Sequence, residues 1–196
     1  MVDSGSGKII ISQPFLKFSI SKKSGAHLHL DGNLLIIPHI GGEDRSLLSL
    51  SENSKLEISG EFTIGHGVRI MLAKNSSLSF GGKYKESASG ITSNTLIMVY
   101  KKIVIGKDFL CAWNNFISDS DWHYIEGQSH QKDLFIGDHV WVGNSCNILK
   151  GAHIGNNCIV ASNTKIVNKQ IEDGKMVAGI PSKVIKSDVT WSRDIK

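Results

Sequence analysis

Side chains that can hold a proton, a metal or a leaving group limit what chemistry a chain can do. Here they are eight histidines, eighteen carboxylates and three cysteines in 196 residues. One grouping stands out: Asp119-Ser120-Asp121-Trp122-His123, at the head of a polar stretch running from Ser118 to Asp133. An imidazole of ordinary pKa is substantially neutral at pH 7 and can take a proton from a hydroxyl. His123 is the candidate general base, with Asp119 and Asp121 to orient it or to hydrogen-bond an acceptor. The alternative is a surface histidine among solvated loop carboxylates. A zinc site would need three convergent histidines at about 2.0–2.1 Å from the metal. His66, His123 and His130 are the available set, and nothing in their spacing favours it, so no metal is expected. The remaining histidines, His139 and His153 on strands among them, read as structural or solvent-facing. Cys111, Cys146 and Cys158 make an odd count without framework spacing, and suit reduced thiols in a cytoplasmic protein.

The scaffold that must position His123 announces itself by a period of six. Ile136, Val142, Ile148, Ile154, Val160 and Ile166 recur without a slip. Four residues after each of the first five come Val140, Cys146, Ala152, Cys158 and Thr164. A helix would smear this pattern around its surface, whereas short strands joined by tight turns place one aliphatic residue per side inward. Three sides make a coil of eighteen residues, so Ile136 should stack on Ile154, Val142 on Val160 and Ile148 on Ile166. Successive coils would lie about 4.8 Å apart. Upstream, Val99, Ile105, Cys111 and Ile117 keep the spacing, as do Ile58, Ile64 and Ile70. Before residue 50 the signal fades into generic strand patterning.

Two breaks in phase mark excursions. Ile117 to Ile136 is nineteen residues, and the polar stretch 118–133 reads as a loop leaving the prism. Ile64 to Ile105 is forty-one, with a second excursion over 81–90. Residues 1–7 read as a frayed start or an expression remnant, 8–186 as a single domain, and 187–196 as a C-terminal segment able to form a helix. A net charge of +4 suits an anionic ligand but lacks the dense basic face of a nucleic-acid binder. No apolar run reaches the roughly 20 residues of a membrane span. No signal peptide is evident, and a cytoplasmic location is expected.

Ile136-Gly137-Asp138-His139-Val140-Trp141-Val142-Gly143, Ile148-Leu149-Lys150-Gly151, Ile154-Gly155-Asn156-Asn157-Cys158 and Val177-Ala178-Gly179-Ile180-Pro181-Ser182-Lys183-Val184-Ile185 resemble the hexapeptide-repeat acyltransferases. Many members of that family O-acetylate bacterial surface polysaccharides. The resemblance covers about residues 55–186. It implies an all-β fold: a left-handed parallel β-helix with an inserted active-site loop and a short C-terminal helical segment. It also implies a homotrimer binding acetyl-CoA between neighbouring prisms, and a sugar or polysaccharide acceptor.

The same resemblance makes His123 the catalytic base and Asn94 a further acceptor contact. It places Trp141 beside the CoA arm and uses the backbone N–H at Asn144, after Gly143, to support the thioester carbonyl. The Ala161-Ser162-Asn163 corner would hold the pantetheine, although the family has Gly, Ala and Gly there. Lys183 would meet a CoA phosphate, with Lys165, Lys169 and Lys186 as possible helpers. Two other readings stand beside O-acetylation: N-acetylation of an amino or nucleotide sugar, and a non-catalytic β-helix scaffold or metal-binding relative. The acceptor itself is not legible in the sequence.

Overall fold

An aliphatic residue turned inward every sixth position is buried only if the chain returns beneath itself, and that is how this chain folds. The computed structural model describes residues 1–39, 42, 44–82 and 89–194. Three sheets, parallel except for the last strand of the first, form the faces of a prism. The first face has nine strands, from Ile9–Ile11 through Trp141–Val142 to Met176–Ala178 and Lys183–Lys186. The second has seven, from Phe18–Lys22 to Lys165–Ile166, and the third has seven, from His27–Leu30 to Gln170–Ile171. The chain visits the faces in turn. The first edge below is the corner between faces one and two, the second lies between faces two and three, and the third between faces three and one.

The expected register holds: Ile136 pairs with Ile154, Val142 with Val160 and Ile148 with Ile166. One continuous core runs from Leu28 to Val177, and most of its members are 0–2% exposed. Each such aliphatic contributes roughly 1.5–3 kcal/mol on burial. The N-terminal coils belong to the same prism, but they are wider. Ile36 pairs with Ile64, 28 residues on, and Ile64 with Ile91, 27 on. Turns of unequal length destroy a six-residue period without disturbing the inward stack, which is why the sequence signal fades there.

The Ile-Gly-Asx motif has a local cause. Asp138 Oδ1 accepts the Lys107 N–H at 2.7 Å, Asn156 Oδ1 accepts that of Asp138 at 2.8 Å, and Asp173 Oδ1 that of Asn156 at 2.8 Å. Each side chain satisfies a donor in the coil before it. A Cβ on Gly106 would lie 2.3 Å from Asp138 Oδ1, and one on Gly155 2.2 Å from Asp173 Oδ1. Glycine is needed at both because the ladder passes so close.

Several expectations are corrected. Residues 3–7 are not frayed: they run along His27–Leu30, with Asp3 N–H on the Leu28 carbonyl at 2.9 Å and Gly7 N–H on that of Leu30 at 2.8 Å. No helix occurs among the described residues. Residues 187–194 instead turn back along the third edge, where the Trp191 ring stacks on His139 at 4.2 Å and Nε1 donates to the His139 carbonyl at 2.9 Å. His139 stands at a corner, with φ 55°, rather than on a strand. Of the excursion expected over 81–90, residues 83–88 lie outside the described residues, while Gly81, Gly82 and Gly90 belong to strands.

All three cysteines are buried and free. Burial raises every thiol pKa, that of Cys111 to about 12. A disulfide-exchange reagent at pH 8 is therefore expected to label the native protein only as fast as it opens, and urea to release all three thiols at once. Truncating one rung, Ile148→Ala, is expected to cost about 2–5 kcal/mol by urea unfolding.

Candidate active site

The step from Ile117 to Ile136, nineteen residues where a corner normally takes six, leaves the second edge as an arm. Its base is tied by Lys132 N–H to the Asp119 carbonyl at 3.0 Å and Asp121 N–H to that of His130 at 2.8 Å. Gln128 N–H closes the tip on Ile125 at 3.0 Å. Trp122 takes a left-handed φ of 63°, secured by its N–H on Ser120 Oγ at 3.0 Å and its indole Nε1 on Ser118 Oγ at 3.1 Å. Tyr100 meets the Trp122 ring edge-on at 5.5 Å and the His130 ring at 4.8 Å.

His123 follows Trp122 directly and is exposed. Its imidazole has no hydrogen-bond partner among the described residues, so both nitrogens are available. The arm fixes where the backbone presents the ring and leaves the ring itself to whatever approaches.

The two carboxylates have other duties than expected. Asp119 is 0% exposed and accepts three backbone donors: Tyr100 N–H at 2.7 Å, Lys101 at 2.8 Å and Lys102 at 2.6 Å. It holds the turn beneath the arm and cannot orient His123. Asp121 pairs with Lys150, whose buried ammonium also donates to the Ser129 carbonyl at 2.7 Å. Through Asp121 and the Ser129 carbonyl, Lys150 ties both sides of the arm to the coil.

The residues expected to bind the donor gather elsewhere. Trp141 points outward from the first face and is 39% exposed. Gly143, Asn144, Ala161, Ser162 and Asn163 lie on the first edge. There Ser162 Oγ donates to Asn144 Oδ1 at 2.7 Å, and Asn163 adopts φ 60°, as its replacement of glycine requires. A Cβ on Gly143 would sit 2.7 Å from the Ser162 nitrogen. The backbone N–H groups of Asn144 and Ser162 find no acceptor among the described residues. Asn94 lies on the same edge, two coils before Asn144, with φ 44°. Lys183 is exposed on the antiparallel strand that closes the first face, and Lys169 reaches the Ser182 carbonyl.

Within one chain, His123 and the Trp141–Asn144 group therefore occupy different edges of the prism. The three-histidine alternative fails in the same way: His66 is buried on the first edge, away from His123 and His130 on the second.

Sequence reasoning missed a cluster on the third edge. His139 Nδ1 bonds Asp108 Oδ2 at 2.5 Å and its Nε2 lies 3.1 Å from the Trp191 carbonyl, while Arg193 reaches Asp108 at 3.7 Å. Trp191 also lies 6.1 Å from Trp141. Its members come from three distant segments, so no local signal could have found it. Trp113, 46% exposed on the first edge one coil before Asn144, was likewise passed over.

Residues 133–168 match the bacterial transferase hexapeptide family (six repeats). Over 98 residues, 47% of this chain, it is 40% identical to the polysialic acid O-acetyltransferase of Neisseria meningitidis, but this spans only 46% of that protein. It is 26% identical to an uncharacterized 24.8 kDa protein in the cps region of Klebsiella pneumoniae, covering 94% of this chain and 82% of that one. With the putative lipopolysaccharide biosynthesis O-acetyl transferase WbbJ of Escherichia coli K12 the identity is 24%, covering 70% and 74%. The solved polysialic acid O-acetyltransferase OatWY superposes with a TM-score of 0.54 at 25% identity, covering 98% of this chain and 90% of that one. The coil is the left-handed parallel β-helix.

Because Asp119 holds backbone donors, Asp119→Ala is expected to lower stability by on the order of 3 kcal/mol. Asp119→Asn should recover part of that loss, measured by thermal unfolding.

Proposed function

We propose that this chain, a hexapeptide-repeat acyltransferase of the sugar O-acetyltransferase type, moves an acetyl group from acetyl-CoA to a hydroxyl of a surface-polysaccharide sugar or its precursor. The observation that carries this reading is His123: an unpartnered imidazole on an arm stapled by Trp122 and by the Asp121–Lys150 pair. The similarity to polysialic acid and lipopolysaccharide O-acetyltransferases supports a glycan acceptor.

His123 takes the proton of the acceptor hydroxyl as its oxygen attacks the thioester carbonyl carbon. The carbonyl oxygen gains negative charge and meets the free Asn144 N–H, a fixed donor of the kind that stabilises such intermediates. Collapse expels the thiolate of CoA, which recovers the proton from the His123 imidazolium. The acetyl ester and the free thiol are the products. Nothing supports a covalent acyl-enzyme, because Cys111, Cys146 and Cys158 are buried with raised pKa values.

The donor substrate suits the first edge: an exposed indole at Trp141 for apolar contact, free amides at Asn144 and Ser162 for the pantetheine, and Lys183 for a phosphate. His123 lies on another edge, so one chain cannot supply both halves. A homotrimer, with His123 of one copy facing the first edge of the next, completes the site.

His123→Ala is expected to reduce acceptor-dependent thiol release by about 10²–10⁴-fold while acetyl-CoA still binds. Turnover unchanged in that variant would remove His123 from the mechanism. A monomer in light scattering, still fully active, would remove the shared site.

A further inference from the structure

The first edge continues past the donor-binding residues toward the N-terminus as an unbroken ladder of corners. Asn163 N–H bonds the Asn144 carbonyl at 3.0 Å, Ser145 that of Trp113 at 3.1 Å and Asn114 that of Ser93 at 3.3 Å. Asn94 N–H then bonds the His66 carbonyl at 2.9 Å, and Gly67 that of Asp44 at 3.0 Å. Gly67, Asn94, Asn114, Ser145 and Asn163 all adopt positive φ, so each corner turns alike and the outward groups fall in line.

At the N-terminal end of this line is a cleft of ≈ 400 Å³, lined by Asp44, Arg45, Gly67, Arg69, Asn94 and Asn114. Its walls are polar, and its two cations are arginines from successive coils. Arg69 points outward from the second face, with Leu47 and Leu96 as its strand neighbours. Neither guanidinium makes a hydrogen bond or ion pair among the described residues, although Asp44 shares the cleft. Among the described residues, two arginines against one aspartate leave a net positive charge. The asparagines add neutral donors and acceptors of the kind that read sugar hydroxyls.

We infer that this cleft is the acceptor subsite and that the acceptor is an acidic sugar whose anionic group is held by Arg45 and Arg69. The inference rests on the acetyltransferase reading and narrows its substrate class. Guanidinium groups present paired N–H donors that match a carboxylate or a phosphate. The position also fits. Asn114 is one coil from Asn144 and Arg69 three, or about 5 Å and about 14 Å at the usual strand spacing. The anion then belongs to the sugar that is acetylated or to its immediate neighbour, with the reactive hydroxyl toward Asn114.

The test is calorimetric, on the full chain without acetyl-CoA. The probes are a sialic acid oligomer as the free carboxylate, the same oligomer as its methyl ester, and a hexose 1-phosphate. The free acid is expected to bind at least about tenfold more tightly than the ester, and Arg45→Gln or Arg69→Gln to weaken it about tenfold each. Binding of the hexose phosphate instead, with the same arginine dependence, would assign the anion as a phosphate. Equal affinity for acid and ester together with no phosphate binding, or no loss in the double variant, overturns the inference. A parallel titration with acetyl-CoA separates the two claims. Its failure in wild type would sink the acetyltransferase reading while the acid titration still judges the cleft. Its preservation in the arginine variants shows that they are folded.

Discussion

Everything in this molecule depends on the inward aliphatic ladder. A parallel coil has no local partner for its backbone groups, so each strand is stable only when the next coil lies directly on it. The ladder enforces that alignment by burying like on like, as Ile136 on Ile154 and Val142 on Val160. The corners then have no freedom to drift. Where they stack tightly, only glycine fits beside a capping carboxylate or amide, as at Gly106 and Gly155. Where they turn, Asn, Asp or Gly mostly takes the left-handed conformation, with a serine at position 145 and a histidine at position 139 doing the same.

That rigidity makes the outer surface useful. Side chains on the outside of a coil contribute little to the core, so they can vary without loss of the fold. The prism thus offers three independent edges. One carries the arm with His123, one the free amides of Asn144 and Ser162 with the polar cleft above them, and one the His139–Asp108–Trp191–Arg193 cluster that binds the C-terminal segment. The proposed reaction needs the first two together, and a single prism holds them apart. On that proposal the need for a second copy is geometric, because an edge cannot bend toward its neighbour without breaking the stack.

The arm solves a different problem. A loop of this length would spread His123 over many conformations unless it were held. Buried Asp119, with three backbone donors, and the Asp121–Lys150 pair supply the hold without touching the imidazole. The carboxylates near the proposed base here hold the arm: Asp119 through backbone donors and Asp121 through Lys150. In sequence they are indistinguishable from carboxylates that orient it, because both kinds sit in a polar stretch beside a histidine. Burial tells them apart, and burial is a property of the fold.

The six-residue period by itself determined the coil, its register from Ile136 to Ile166, the inward cysteines, the outward Trp141 and the departure of the 118–133 arm. It could do so because each of those facts follows from which way a side chain points at a regular spacing. The wider N-terminal coils were not legible, because corners of unequal length erase the period while leaving the stack intact. Nor were the anchoring of residues 3–7 and the return of the C-terminal segment without a helix, since each is stabilised by a partner far along the chain. Only the tertiary structure decided that Asp119 is spent on Tyr100, Lys101 and Lys102, that His123 and Asn144 stand on different edges, and that Arg45, Arg69, Asn94 and Asn114 share one cleft. Those are relations between coils, and a linear sequence carries no measure of how far the chain has turned between two residues.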